Sequence, residues 1–246
     1  MLGLGVGHSM YSTTHIWRDD LSLYCDGTGD YAAVTTSNIG DYGFNDGTIS
    51  AWVKGDTFAA DGVLVDIIST TENHAIEIFY DDSEEAITFV RTDGDTTSTL
   101  THAITDSNIT ANWYHIVATW QYSEPGGRGS GFHTLYVNGS NEATNTTALS
   151  LGGTVNKFFI GRNATAANTY WDGYINDVAL FSGALSAGNV LEVYNAGQPK
   201  NEKNTDNLEL YFTFDEFVSD SNTIIGSSPN ENVITIYNAL IKQVTP

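Results

Sequence analysis

The residues best equipped for chemistry are Tyr170, Trp171 and Asp172, an aromatic pair and a carboxylate in a turn that closes at Gly173. A sugar is recognised by flat ring faces set beside planar polar side chains, and this turn offers both, with Asn168 just upstream. Trp52, Trp113 and His115 belong to the same group. Each alternates away from the core-facing residues of its own strand and could line one face of a sheet. The competing reading is that these rings simply pack, as Trp in such strands usually does.

The chain has no G-x-S-x-G elbow, no phosphate-cradling glycine loop and no H-E-x-x-H pair. Its six histidines (His8, His15, His74, His102, His115, His133) lack ligand spacing, so no zinc site is expected. Glycoside hydrolysis needs two carboxylates on one face. The strings beginning at Glu77 and Glu209 lack a second acid two residues on, although acids from different strands could still converge. Four N-x-[ST] sequons (Asn108, Asn138, Asn145, Asn163) are what chance gives in an Asn/Thr-rich chain.

The elements that must position these residues are short strands. Residues 174–181 alternate, with Val178 and Leu180 on one face. Ser186 is a suitable helix N-cap, flanked by a staple between Leu185 and Val190, and Gly197 suits the left-handed residue after the helix. One short helix is therefore expected near 186–196. Residues 49–54, 63–69, 75–80, 86–92, 113–122, 132–138 and 156–162 read as further strands, punctuated by Asp93-Gly94 and Asn138-Gly139. The stretch 123–131, SEPGGRGSG, reads as a long loop. Together these predict an all-β fold, an antiparallel two-sheet β-sandwich.

Five stretches are also familiar in wording. GYINDVALFSGALSAGNVLEVYNAG from Gly173, LSLYCDGTGDYAAV from Leu21, GTISAWVK from Gly47, WYHIVATW from Trp113 and LYVNG from Leu135 occur in the order of laminin-G-like, concanavalin-type jelly-roll domains. Over roughly residues 21–197 the chain resembles that family. The resemblance implies a jelly roll and a structural Ca²⁺ site, with Asp26 and Asp30 brought close to the strand that holds Asp177. A hard cation of this kind takes oxygen ligands. Asn176 stands where the family often has a first Asp.

The chain carries 9 Lys+Arg against 30 Asp+Glu, a net charge of −21, which disfavours nucleic acid and anionic membranes as partners. Cys25 is the only cysteine and reads as a small buried hydrophobe. No stretch reaches the roughly 20 apolar residues of a membrane span. Residues 1–18 have no basic n-region and no signal peptide is evident. They read as an extended Gly-rich arm that docks on other copies or coat proteins. Residues 19–246 read as one jelly-roll domain, with 208–241 adding strands to the same sandwich. The function expected is a non-enzymatic surface-binding or structural module, a virion decoration or adhesin that recognises glycans such as host-surface polysaccharide, outside a cell or on a virion surface. The alternatives are a glycoside hydrolase or polysaccharide lyase on the same fold, and a purely architectural coat protein.

Overall fold

A computed structural model describes residues 20–34, 45–69, 74–94, 96–122, 131–149, 155–165, 169–203, 205–215, 222–227, 232–244 and 246. The N-terminal arm expected over 1–18, and nearly all of the loop expected over 123–131, lie outside these. The strands, in chain order, are β1 (Ser22–Asp26), β2 (Tyr31–Val34), β3 (Gly47–Gly55), β4 (Gly62–Ser69), β5 (His74–Asp81), β6 (Ala86–Asp93), β7 (Thr96–Ala103) and β8 (Tyr114–Gln121). They continue with β9 (Phe132–Val137), β10 (Ser140–Asn145), β11 (Val155–Ile160), β12 (Asp172–Phe181), β13 (Leu208–Phe212), β14 (Thr223–Ile225), β15 (Val233–Tyr237) and β16 (Leu240–Lys242). Helix α1 (Asp106–Ala111) precedes β8, and α2 (Ala187–Tyr194) follows β12.

All strand pairs are antiparallel, in two sheets. Sheet A runs β10-β9-β8-β3-β12-β1-β16, with β13 also on β12; sheet B runs β14-β15-β2-β11-β4-β5-β6-β7. This is the two-sheet sandwich that the alternation predicts. Inward residues from both sheets, among them Leu23, Ile49, Val53, Ile116, Ile175, Ile78, Phe89, Phe158 and Ile234, form one continuous core. At one end of that core lies a charged side chain, Arg91, fully buried with its guanidinium 5.7 Å from the Trp120 ring. Burial pushes Arg91 down to about 9, and burial together with Arg91 pushes His133 down to about 4. His133 is therefore neutral: Nε2 accepts from Arg91 Nη1 at 2.6 Å, and Nδ1–H donates to Ser98 Oγ at 2.7 Å.

Two local features depart from simple alternation. Strand β12 carries a bulge between Asn176 and Ala179, with Asp177 at φ 46°. There β12 changes its partner on one edge, from β1 to β13, and the bulge returns Val178 to the inner face. The second feature is α1, a helix in addition to the expected one. It has one buried apolar residue, Ile109, in six, so no periodicity announces it. Helix α2 is capped by Ser186, whose Oγ accepts from Asn189 N–H, and it ends at Asn195 in the left-handed region. It lies on the outer face of sheet A, where Val190 packs with Val117 and Tyr136.

Candidate functional site

The chain passes from sheet B to sheet A between Arg162 and Asp172. Arg162 and Tyr170 form an isolated antiparallel bridge, and Trp171 N–H donates to Gly161 O at 3.0 Å. This short hairpin sends its three consecutive residues to three environments. Trp171 is 0% exposed, its ring edge-on to Phe58 at 5.2 Å. That corrects the expectation that Trp171 offers a face to a glycan. Its indole is core, because the crossing must pass between the sheets.

Trp52 and His115 need the same correction. They do face away from the sandwich core, as alternation requires, but α2 covers that face. The Tyr194 ring stacks on both, at 5.9 Å from Trp52 and 5.8 Å from His115. His115 shares a 2.8 Å hydrogen bond between Nε2 and Ser50 Oγ, and full burial pushes it down to about 3, so it is neutral. Neither ring is available to a ligand.

The proposed calcium ligands do not converge either. Asp26 and Asp30 stand together, with Asp26 N–H donating to Asp30 Oδ2 at 3.1 Å, and Asp26 pairs in register with Asp172. Burial raises the carboxyls of both Asp30 and Asp172. Asp177 is five residues further along β12, roughly 16 Å at the rise of a strand. There it is buried and accepts from the Tyr211 hydroxyl at 2.6 Å. Among the described residues, no group of three or more His, Cys, Asp or Glu could hold a metal ion. Asp172 has a different use, accepting from Thr57 Oγ1 at 2.7 Å on the sheet A side.

Tyr170 is where the expectation leads somewhere. Its ring lies 5.8 Å from the Arg162 guanidinium, which also sits 4.7 Å from the Tyr31 ring and 5.1 Å from the Phe159 ring. Tyr31 in turn stacks on Tyr237, with centroids 4.5 Å apart and planes 13° from parallel. Four rings and one guanidinium thus form a half-exposed platform on the outer face of sheet B, and Tyr237 at its edge is 37% exposed.

Two carboxylates anchor this platform from beside it. Phe159 pairs in register with Asp66, and Asp66 with Glu77, so the three occupy one cross-strand row. Asp66 Oδ2 accepts from Ala164 N–H at 2.7 Å, and Glu77 Oε1 accepts from Asn163 Nδ2 at 2.6 Å. Both hold down the hairpin that carries Arg162, whose Nε–H donates to Asn163 O at 2.9 Å. Asp66 is 2% exposed, and burial, assisted by Glu77, lifts it to about 7 against the opposing Ala164 hydrogen bond and the Arg162 and Lys157 charges. Burial also raises Glu77.

Sequence reasoning did not find Tyr31, Phe159, Arg162 or Tyr237. A signal was present: in KFFI the residues Phe158 and Ile160 face inward and leave Phe159 out, and in VITIY the residues Ile234 and Ile236 face inward and leave Tyr237 out. Nothing in the sequence says that β15 comes to lie beside β2.

This fold has known company. The family model for the concanavalin A-like lectin/glucanases superfamily matches residues 26–191, more than half of the chain, and the chain belongs to that family. Among solved structures, a Bacteroides ovatus protein classed as carbohydrate-binding superposes with a TM-score of 0.65 at 16% identity, over 92% of this chain and 60% of that one. A heptameric SAP-like pentraxin from Limulus polyphemus gives 0.55 at 14% identity, over 72% of this chain and 82% of the other. The botulinum neurotoxin serotype D binding domain gives 0.52 at 17% identity, over 72% and 43%. At such identities the likeness is one of fold. A sequence search of curated proteins returns no match.

Proposed function

We propose that this chain is a non-catalytic surface-binding module that recognises glycans through the outer face of sheet B. The observation that carries the reading is the Tyr31–Tyr237 stack joined to Phe159 and Tyr170 through Arg162. Ring faces suit the apolar faces of sugars, and a guanidinium supplies donors in a fixed plane for hydroxyl or carboxylate oxygens. The carbohydrate-binding and toxin-binding-domain neighbours support a binding role on this fold. On this reading the protein acts as a virion decoration or adhesin, outside a cell or on a virion surface, and takes host-surface polysaccharide. Residues 1–18 dock it on other copies or on coat proteins. Among the described residues no helix is long and apolar enough to cross a membrane.

One observation favours a second reading, hydrolysis. Asp66 and Glu77 are cross-strand neighbours, and Asp66 holds its proton near neutral pH, as a general acid must. Against it, Asp66 is buried beneath Ala164, and both carboxylates already accept hydrogen bonds from the hairpin. Binding is therefore preferred. The experiment is a glycan panel probed with the wild-type chain and with Tyr31→Ala, Tyr237→Ala and Arg162→Ala. Retention of wild-type binding by all three variants overturns the reading.

A further inference from the structure

The outer face of sheet A is covered by α2 over only part of its extent. Towards the Asp172 end of β12, a different row is half-exposed. Tyr24 pairs in register with Tyr174, and Tyr174 with Lys54. Because Val53 pairs with Tyr114, the residue that follows Lys54 across the sheet is Trp113. In β16 the register partner of Tyr24 is the exposed Leu240, and Lys242, opposite Ser22, reaches back with its Nζ 2.9 Å from the Tyr24 ring centroid and 5.6 Å from that of Tyr174. The row therefore runs from the residue just before β8 across β3, β12 and β1 to β16, and at the spacing of strands it is about 19 Å long.

Its chemistry resembles that of the first platform, although it shares no residue with it. Tyr24 and Tyr174 rings are 5.0 Å apart and tilted by 52°, and the Tyr174 and Trp113 rings are 6.2 Å apart. Trp113, Lys54, Tyr174, Tyr24 and Lys242 are all partly accessible. Two of the chain's nine cations are committed to this row. At its rim, Asp56 Oδ2 accepts from the Tyr24 hydroxyl at 3.1 Å, and Asp172 accepts from Thr57. The core of a protein-docking surface is depleted in charge, whereas here ammonium groups stand among the rings. Carboxylates at the rim repel a polyanion. Rings flanked by both donors and acceptors suit an extended, uncharged, hydroxyl-rich chain.

We propose that this row is a second saccharide-binding surface, so that one molecule bridges two glycan chains on opposite faces of the sandwich. Consecutive strands supply the geometry: Tyr24 in β1 faces out from sheet A, and Tyr31 in β2 faces out from sheet B. The bridging part rests on the saccharide reading of the sheet B platform, and the test separates the two.

Binding stoichiometry by calorimetry and network formation by turbidity are measured with a panel of soluble neutral polysaccharides, with an anionic one such as alginate alongside. The proteins are wild type, Trp113→Ala/Tyr174→Ala, Tyr31→Ala/Tyr237→Ala and the milder Lys54→Gln, each shown by its melting curve to be folded. Wild type is expected to give turbid networks with a neutral polysaccharide. Each double variant should keep about half the sites and lose turbidity, and Lys54→Gln should weaken binding severalfold. Unchanged stoichiometry and turbidity in Trp113→Ala/Tyr174→Ala overturns the second surface. Complete loss in Tyr31→Ala/Tyr237→Ala alone does the same while leaving the first reading standing. Complete loss in Trp113→Ala/Tyr174→Ala alone refutes bridging and the sheet B reading together. Preference for the anionic polymer overturns the assignment of an uncharged ligand, and no binding across the panel overturns both readings.

Discussion

The rings of Tyr31 and Tyr237 stack 4.5 Å apart although 206 positions separate them in the chain. The contact exists because β15 inserts beside β2, pairing Ile234 with Val34 and Tyr237 with Tyr31. If the stack is a recognition surface and not a packing contact, truncating its more exposed member has little effect on stability. Tyr237→Ala is expected to cost less than about 1.5 kcal/mol, in line with an aromatic pair at the surface, while weakening glycan binding at the sheet B sites at least tenfold. Chemical denaturation and calorimetry on the same variant measure the two effects.

Trp171 should behave in the opposite way. It is fully buried against Phe58, so Trp171→Ala is expected to cost about 3–5 kcal/mol through lost burial and the cavity left behind. The milder Trp171→Phe should lower the melting temperature and leave glycan affinity unchanged. A weakened affinity at full stability would restore Trp171 to the surface role that its sequence context suggested.

Gly173 is required by its surroundings. It sits at φ 138°, and a Cβ there would come within 2.2 Å of the Lys54 carbonyl oxygen and 2.8 Å of the Gly55 Cα. Neither backbone atom can move without breaking the β12–β3 ladder. Gly173→Ala is expected to destabilise by about 3 kcal/mol or more, and the loss should be visible in thermal melts.

Asp66 and the buried histidines impose opposite pH dependences. Asp66 holds its proton up to about pH 7 when folded but ionises near 3.8 when unfolded. Between those values the native state binds more protons, so stability falls as pH rises. His115 and His133 have folded values of about 3 and 4, below the ordinary imidazole value of 6.5. Across that window the unfolded state binds more protons, so stability falls on acidification. Asp66→Asn removes only the first effect. Its stability relative to wild type should climb between pH 4 and pH 7, by up to about 4 kcal/mol for roughly three units. Parallel pH–stability curves for the two proteins would contradict this assignment.

Much of the fold was legible in the sequence because alternation is local. Residues such as Val53 and Ile116 declare their inward face within one strand, and Ser186 declares the start of α2 within one turn. The site was less legible because its parts depend on what covers what. Alternation turns Trp52 and His115 away from the core, yet Tyr194 lies on top of them. The bulge at Asp177 and the length of β12 separate that carboxylate from Asp26, which residue types alone do not reveal. Tyr170 was found because it lies in an evident turn, whereas its partners come from β2, β11 and β15.

The most direct test is equilibrium binding of polysaccharide to the wild-type chain and to Tyr31→Ala/Tyr237→Ala, with reducing ends and unsaturated products assayed in the same samples. Saturable binding by wild type, with the sheet B sites lost from the folded variant so that about half the stoichiometry remains, and without released ends, is the predicted result. Equal stoichiometry and affinity in the two proteins, or steady release of cleaved saccharide by wild type, would contradict the account.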